Sequence, residues 1–330
     1  MSSYLFAAFF ILALLPSTAD AQSLGSGADS ASFTVSARPQ YPTPYGQATI
    51  SLLSNTLDLA NAVMTVALAG KEFYRGAVQP LSIPLGKAGS VTNVKVTISS
   101  NGVPYVQSIF IQPQDVVLVA EPISSAPSLY LGKPLIPLQG SVRVVAMANF
   151  QDARGKTLAP NTLSYAWSVD DRQIANSSGI GRTAILVASP LQYRARSVSV
   201  AVTSPNGSLV GGASLSLAAE EPSLRIYQND ALLGILFDHA LPEQYAITGA
   251  EASLFAAPFS LPTTSGSPLL QWFLNGESAQ TGSTITLRPS GNGEGTASLS
   301  VTASTGNSTT ANTNLTLSFG AAKSFNLFGL

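Results

Sequence analysis

"LSYAWSVDDRQIANSSG", residues 163–179, decides how the rest of the chain reads. Tyr165, Trp167 and Val169 alternate with Ser164, Ala166 and Ser168. A period of two is a half-buried strand with the larger residues facing inward. Trp167 is one of two tryptophans, and Asp170 and Asp171 follow it at +3 and +4. Two adjacent aspartates are either a site or a turn, and the rest of the chain distinguishes the two. "LLQWFLNGES" (269–278) sets Trp272 before Asn275-Gly276, and "VMTVALAGKEF" (63–73) sets Val66 before Ala69-Gly70. A slot that accepts DD, NG and AG is filled by turn formers. Calcium would need roughly six to eight oxygen ligands, and no third or fourth acid lies nearby in the sequence.

A second strand recurs downstream as "NVKVTISSNG" (93–102), "SVSVAVTSPNG" (197–207) and "SLSVTASTGN" (298–307). The separations Val66 to Val96, Trp167 to Val200 and Trp272 to Val301 are 30, 33 and 29 residues. Each of these strands runs into a Gly/Asn turn and then another alternating strand. Asn101-Gly102 and Asn206-Gly207 are expected to be tight hairpins with positive φ at both positions. Further alternating stretches lie upstream in each copy, "SFTVSA" and "QATISLL", "VVLVA" and "SVRVVAMANF", "LRIY" and "AEASLFAAPF". Six or seven short strands in a unit of roughly 100 residues fit an immunoglobulin-like sandwich. The fold class read here is all-β, with three tandem immunoglobulin-like β-sandwiches after an N-terminal signal peptide. The expected boundaries are a signal peptide at 1–21, a linker at 22–31, domains at 32–114, 115–221 and 222–319, and an apolar tail at 320–330. The expected core residues are Trp167, Trp272, Val66, Tyr165, Val200 and Val301. The Pro-containing joints "IQPQD" (111–115) and "AAEEPS" (218–223) are short, so stacked modules with limited hinge freedom are expected.

On these residues the units resemble PKD-type and other bacterial immunoglobulin-like domains, which carry a Y-x-W-x-x-d-G strand and a later V-x-V-x-V strand. Tyr165, Trp167, Asp170 and Val198/Val200/Val202 match in the second copy, and Trp272, Asn275 and Gly276 in the third. The first copy departs, with Val66 in place of the aromatic. The stretch 41–66 is similar to secreted multi-Ig envelope proteins of small-genome bacteria. The resemblance implies adhesion, spacer or envelope-assembly modules, and it carries over no catalytic residue.

Composition points the same way. The 330 residues include no cysteine, 45% are hydrophobic and 10% charged. That is too apolar and too weakly charged for a disordered chain. The apolar run Tyr4–Leu15 ends at Pro16 and precedes Ala19-Asp20-Ala21, an A-x-A cleavage pattern. No Lys or Arg precedes it, and the run is short for a membrane span. The formal charge of −1 becomes 0 once Asp20 is removed. A neutral chain has no electrostatic footprint for nucleic acid or anionic lipid. Without cysteine there are no disulfides, no acylated lipobox and no thiolate zinc site.

The chemistry-bearing residues are few. His239 is the only histidine, so a Ser-His-Asp triad would have to use it. Asp238 beside it is expected to point to the opposite side of an extended chain, and no G-x-S-x-G elbow exists. Glycosidase chemistry needs two carboxylates, and the candidates are Glu121, Asp152, Glu220, Glu221, Glu243 and Glu251. Glu220-Glu221 reads as a solvated linker. "GNGEG" (291–295) has no helix pattern after it and reads as a hairpin tip rather than a phosphate loop. Four N-x-S/T triplets, at Asn176, Asn206, Asn307 and Asn314, fall in a Ser/Thr/Asn-rich chain and carry no weight. No enzyme, cofactor or metal is expected.

Two stretches exceed what a minimal sandwich needs, "EPISSAPSLYLGKPLIPLQG" (121–140) and "YQNDALLGILFDHALPEQY" (227–245). Both follow the first strand of a module, and "SLYLGKPL" echoes "ALLGILFDHAL". They are expected to pack across joints; the alternative is a partner-binding patch that includes Leu233 and Phe237. The tail adds Phe325 and Phe328 as a possible docking peptide. The function expected is a non-catalytic, exported spacer or adhesive module of the cell envelope, with protein and/or glycan partners, no nucleic acid and no membrane span in the mature chain. The alternatives are an accessory subunit of a pilus or secretion apparatus, and a carbohydrate-active enzyme with an unrecognised carboxylate pair.

Overall fold

The computed structural model describes residues 33–128, 130–290, 294–306 and 309–320. The expected signal peptide, the linker at 22–31, the tail beyond 320 with Phe325 and Phe328, and most of the 291–295 loop lie outside the described residues. The chain divides into two compact units, one ending at Gln112 and the other beginning at Pro113.

In the first unit the strands are β1 (Thr34–Arg38), β2 (Gln47–Leu53), β3 (Val63–Leu68), β4 (Lys71–Ala77), β5 (Leu81–Pro84), β6 (Thr92–Ser100) and β7 (Val103–Ile111). One sheet runs β1-β2-β5 and the other β4-β3-β6-β7. The alternation that predicts strands also sorts the faces. Ala48 and Ile50 on β2 meet Met64, Val66, Val94, Val96 and Ile98 from the other sheet in one apolar cluster. Val66 stands opposite Val96, and both are fully buried.

The second unit repeats the plan twice. Its first sandwich has β8 (Asp115–Pro122), β9 (Ser141–Asn149), β10 (Ser164–Val169), β11 (Arg172–Gln173), β12 (Gly179–Ile180), β13 (Ala184–Ala188), β14 (Ala195–Thr203) and β15 (Val210–Ala218). The sheets are β13-β9-β8 and β11-β10-β14-β15, with β12 paired to β10. The next sandwich has β16 (Ser223–Asp230), β17 (Gly234–Ile235), β18 (Gln244–Ile247), β19 (Ala252–Phe259), β20 (Leu269–Leu274), β21 (Glu277–Thr281), β22 (Thr284–Leu287), β23 (Gly295–Ser304) and β24 (Thr310–Phe319). Its sheets run β17-β16-β19-β22 and β18-β24-β23-β20-β21. A short strand, β18, runs parallel to β24 and pairs Gln244–Ile247 with Thr316–Phe319. The architecture is all-β, with sheets that are antiparallel except at the β18–β24 pair, stacked face to face in immunoglobulin-like sandwiches.

The tryptophans hold equivalent places. Trp167 pairs across with Val200 and Trp272 with Val301. Both indoles are fully buried. A buried indole N–H must find an acceptor. Trp167 Nε1 donates to the Arg182 carbonyl at 2.8 Å, and Trp272 Nε1 to the Gly282 carbonyl at the same distance. Tyr165 lies in the same core with its hydroxyl donating to the Pro160 carbonyl, and burial pushes that phenol's pKa up.

One turn differs from the sequence reading. Asn101-Gly102 has positive φ at both residues, as a two-residue hairpin needs. Asn206 has no positive φ; only Gly207 does. The Gly207 N–H bonds back to the Ser204 carbonyl, and β14 and β15 are separated by a longer loop. The cause is Pro205, whose ring locks φ near −65° and suits the second position of a type I turn. The Asn206 side-chain oxygen then accepts from Ser208 N–H at 3.2 Å and pins that loop.

Candidate functional site

Asp170 and Asp171 form the two-residue turn between β10 and β11, both with positive φ, at 49° and 62°. Ala69-Gly70 and Asn275-Gly276 do the same in the other copies. The first side chain of the pair has a structural task. Asp170 Oδ1 accepts the backbone N–H of Ser197 at 3.0 Å, and Asn275 Oδ1 accepts that of Ser298 at 2.9 Å. The other Asp170 oxygen takes Arg196 Nε at 3.1 Å. This carboxylate therefore ties the turn to the neighbouring strand.

Four of the candidate carboxylates, Glu121, Glu251, Asp152 and Glu221, are engaged separately. Glu121 pairs with Arg143 across β8 and β9 at 2.7 Å, and Glu251 with Arg288 at 2.9 Å. Asp152 Oδ1 accepts the N–H groups of Arg154 and Lys156. Glu221 accepts from Gln192 at 2.6 Å. Glu243 lends its backbone carbonyl to Thr316 N–H. Among the described residues no three His, Cys, Asp or Glu side chains gather where a metal ion could be held, and no helix is long and apolar enough to cross a membrane.

His239 corrects one expectation. Its Nδ1 lies 2.9 Å from Asp238 Oδ2. The chain here is a turn, not an extended strand, so adjacent side chains do converge. The contact lowers the Asp238 pKa, chiefly through the hydrogen bond from His239. Both side chains are largely exposed.

The best-built feature of the second unit is the seam between its two sandwiches. Ser223 follows Ala218 after four residues. Glu220 and Glu221 in that joint are exposed, as expected of a solvated linker, but the backbone there is tied down: the Glu220 N–H bonds the Ile136 carbonyl at 2.8 Å, with Pro137 bridged to it in parallel. On the other side of the seam, 123–125 pairs antiparallel with 260–263. Ser125 N–H donates to Leu261 O at 2.7 Å, Ser260 N–H to Ser125 O at 3.2 Å, and Thr263 N–H to Ile123 O at 3.2 Å. Leu261 N–H donates to Ser125 Oγ at 3.1 Å. Ser260, fully buried with φ of 59°, places its hydroxyl 2.9 Å from Glu220 O and 3.2 Å from Ile136 O. Gly140 lies close by; a Cβ there would come within 3.0 Å of Pro137 Cγ and 3.2 Å of Pro262 Cβ.

Next to this ladder lies an aromatic cluster on the outer face of the β16–β19 sheet. Leu224, Ile226, Leu254 and Ala256 face the main core, so Tyr227, Phe255 and Phe259 face the other way. The 231–243 segment folds back over them. Leu236 N–H bonds Gln228 O and Leu241 N–H bonds Ile226 O, and this sets Phe237 against Tyr227 with ring centroids 5.1 Å apart. Tyr130 arrives from the preceding sandwich and meets Phe259 at 5.2 Å and Phe237 at 6.1 Å, both edge to face. Each such pair adds about 0.5–1.5 kcal/mol beyond burial. The long connections at 121–140 and 227–245 therefore do meet, through Tyr130 and Phe237. Leu233 does not join them and is exposed, as are Leu131 and Leu232.

Sequence reasoning missed Ser125, Gly140, Tyr227, Phe255, Phe259 and Ser260. A signal existed for part of it. "LFAAPF" (254–259) is a continuous apolar run, not an alternating one, and a strand covered on both faces reads that way. The backbone ladder of Ser125 and Ser260 leaves no such trace.

Strand order, register and paired cores define a protein of tandem immunoglobulin-like sandwiches. No family model matches the chain, and no curated protein matches it. Solved structures that resemble it include multi-domain arrays. The three N-terminal domains of the bacteriophage RB49 highly immunogenic outer capsid protein are 14% identical, covering 88% of this chain and 99% of that one, with a TM-score of 0.24. The central fibronectin-III array of RIM-binding protein is 9% identical over 86% and 95%, with a TM-score of 0.31. The Bacteroides ovatus SGBP-B, solved with a mixed-linkage heptasaccharide, is 12% identical over 87% and 70%, with a TM-score of 0.21. The fold stated here rests on the strand pairing above and not on these likenesses.

Proposed function

We propose that the chain is an exported, non-catalytic spacer or binding protein of the cell envelope, whose sandwiches present a surface to protein or glycan. The observation that carries this reading is the seam of the second unit. Backbone hydrogen bonds and edge-to-face rings commit residues to holding one sandwich against the next. A chain that only needed two independent modules would leave that joint as a wet linker. The Glu121, Glu251 and Glu221 carboxylates support the reading as well, because each is engaged by a side chain of the sheet or joint it sits on.

The test is crosslinking of the chain in its native envelope, followed by mass spectrometry of what is recovered. Recovery of envelope protein or wall glycan supports the proposal. Recovery of one set of pilus or secretion components makes the chain an accessory subunit of that apparatus, and loss of this set on deleting 321–330 would assign the docking to the tail with Phe325 and Phe328. Turnover of a glycan by the purified chain would overturn the non-catalytic reading.

A further inference from the structure

Asn-Gly pairs stand in turns at Asn101-Gly102, Asn206-Gly207 and Asn275-Gly276. Such a pair can react with itself. Glycine has no side chain to keep its backbone nitrogen away from the carboxamide of the residue before it. In a folded chain the outcome depends on whether the two groups are free to meet.

At two of the turns they are restrained. Asn206 Oδ1 accepts from Ser208 N–H at 3.2 Å and from the Ser204 and Ser208 hydroxyls at 2.7 and 2.9 Å. The Gly207 N–H is itself bonded to the Ser204 carbonyl at 2.9 Å. Asn275 Oδ1 accepts the Ser298 N–H at 2.9 Å. Asn101 differs. It is exposed at the tip between β6 and β7. Among the described residues neither its carboxamide nor the Gly102 N–H makes a hydrogen bond. Comparison with Asn275 isolates the side chain, because the two turns share a backbone. The φ values are 51° and 78° at Asn101-Gly102, and 53° and 87° at Asn275-Gly276.

We propose that Asn101 is a self-modification site, at which the folded chain deamidates with water as the co-reactant. The Gly102 backbone nitrogen attacks Asn101 Cγ and gives up its proton. The Cγ–Nδ2 bond breaks, ammonia leaves, and a succinimide ring closes. Water then adds to one of the two ring carbonyls. Breaking the new Cγ–N bond leaves aspartate at this position. Breaking the bond from the backbone carbonyl carbon to that nitrogen leaves isoaspartate, with the main chain routed through Cγ. Either route exchanges an NH for an O, and nothing is oxidised or reduced.

The turn holds the two products differently. Aspartate in the first turn position is already built into the second unit, where Asp170 has a φ of 49°. Isoaspartate adds a backbone carbon to a connection whose ends, Ser100 and Val103, pair directly, and so it loosens the β6–β7 hairpin.

The experiment is a time course of the whole chain at mildly alkaline pH, with conversion at each asparagine read by mass spectrometry of tryptic peptides. In the folded chain Asn101 is expected to convert about fivefold faster than Asn275, the factor that a net hydrogen bond of about 1 kcal/mol represents. Asn206, restrained at both reacting groups, is expected to be slowest. In urea, where these restraints are gone, the three rates are expected to converge. Asn101→Asp is expected to unfold at the wild-type urea concentration, and an earlier midpoint would overturn the assignment of aspartate as a product the turn accommodates. Asn275 or Asn206 converting as fast as Asn101 in the folded chain, Asn101 staying intact there while it converts in urea, or the same order of rates persisting in urea would each overturn the proposal.

Discussion

Asp170 and Asn275 hold the same place and do the same thing, although one is charged and one is not. Each closes a two-residue turn with positive φ, and each accepts a backbone N–H from the strand across the sheet. An acceptor oxygen is what the position requires. Asp170→Asn is therefore expected to leave stability within about 0.5 kcal/mol, and Asp170→Ala to lower it by about 1 kcal/mol, as measured by urea unfolding. Added calcium is expected to leave the melting temperature of the wild type unchanged; an upward shift would make Asp170-Asp171 a metal site. Trp167→Phe removes the indole N–H and leaves the Arg182 carbonyl unpaired in the core. A loss of about 1–3 kcal/mol follows, and the same holds for Trp272→Phe at Gly282. Val66 occupies the equivalent place in the first unit with no polar atom to satisfy, so that copy needs no such acceptor.

At the scale of elements, the connection between the first and second strands is where the copies diverge. In the second unit one such connection pairs with 260–263 and carries Tyr130 to the neighbouring sandwich. The other folds onto its own sheet and then adds β18 beside β24. Gly140→Ala puts a Cβ against Pro137 and Pro262 at a backbone φ of 148°. It is expected to loosen the seam without unfolding either core, and faster amide exchange at Ser125, Glu220 and Leu261 would report it. Phe237→Ala and Leu233→Ala separate the two roles read from the same stretch. Phe237 contacts three aromatic rings and its truncation is expected to cost about 2–4 kcal/mol, toward the lower end of core values because the ring is only half-buried. Leu233 is exposed and its truncation is expected to cost less than about 0.5 kcal/mol.

At the scale of the whole molecule charge is sparse, with 10% of residues charged. Three carboxyls, Asp58, Asp230 and Asp238, have pKa values held below the ordinary range, mainly by hydrogen bonds from Asn61, from the Leu233 N–H and from His239 respectively. A lowered folded-state pKa gives stability that is present above the unfolded value, near 4, and lost as pH falls through the folded one. All three groups are at the surface, so the contribution is small. The melting temperature is expected to stay nearly flat from about pH 8 to about pH 5 and to decline gently below about pH 4. A steep loss between about pH 7 and 5 would reveal a buried ionisable group that carries the fold.

What the sequence determined by itself was the repeating strand pattern. Period-two alternation, the recurring Trp or Val, and turn pairs at a constant offset are local properties, and burial of one face is enough to turn them into sheets. The all-β fold, the turn at Asp170-Asp171 and the apolar connections were legible for that reason. Pro205 beside Asn206-Gly207 and the turn at Asp238-His239 were local too, yet were misread, because a proline and a tight bend override the pair beside them. Only the tertiary structure decided the seam. Ser125 and Ser260 lie 135 positions apart in the numbering, and nothing in two serines announces a shared hydrogen-bond ladder. Whether Tyr130, Phe237 and Leu233 pack or project depended on which surface came within reach once the strands had folded. Contacts between elements depend on distance in space, and a one-dimensional pattern records only the periodicity of each element.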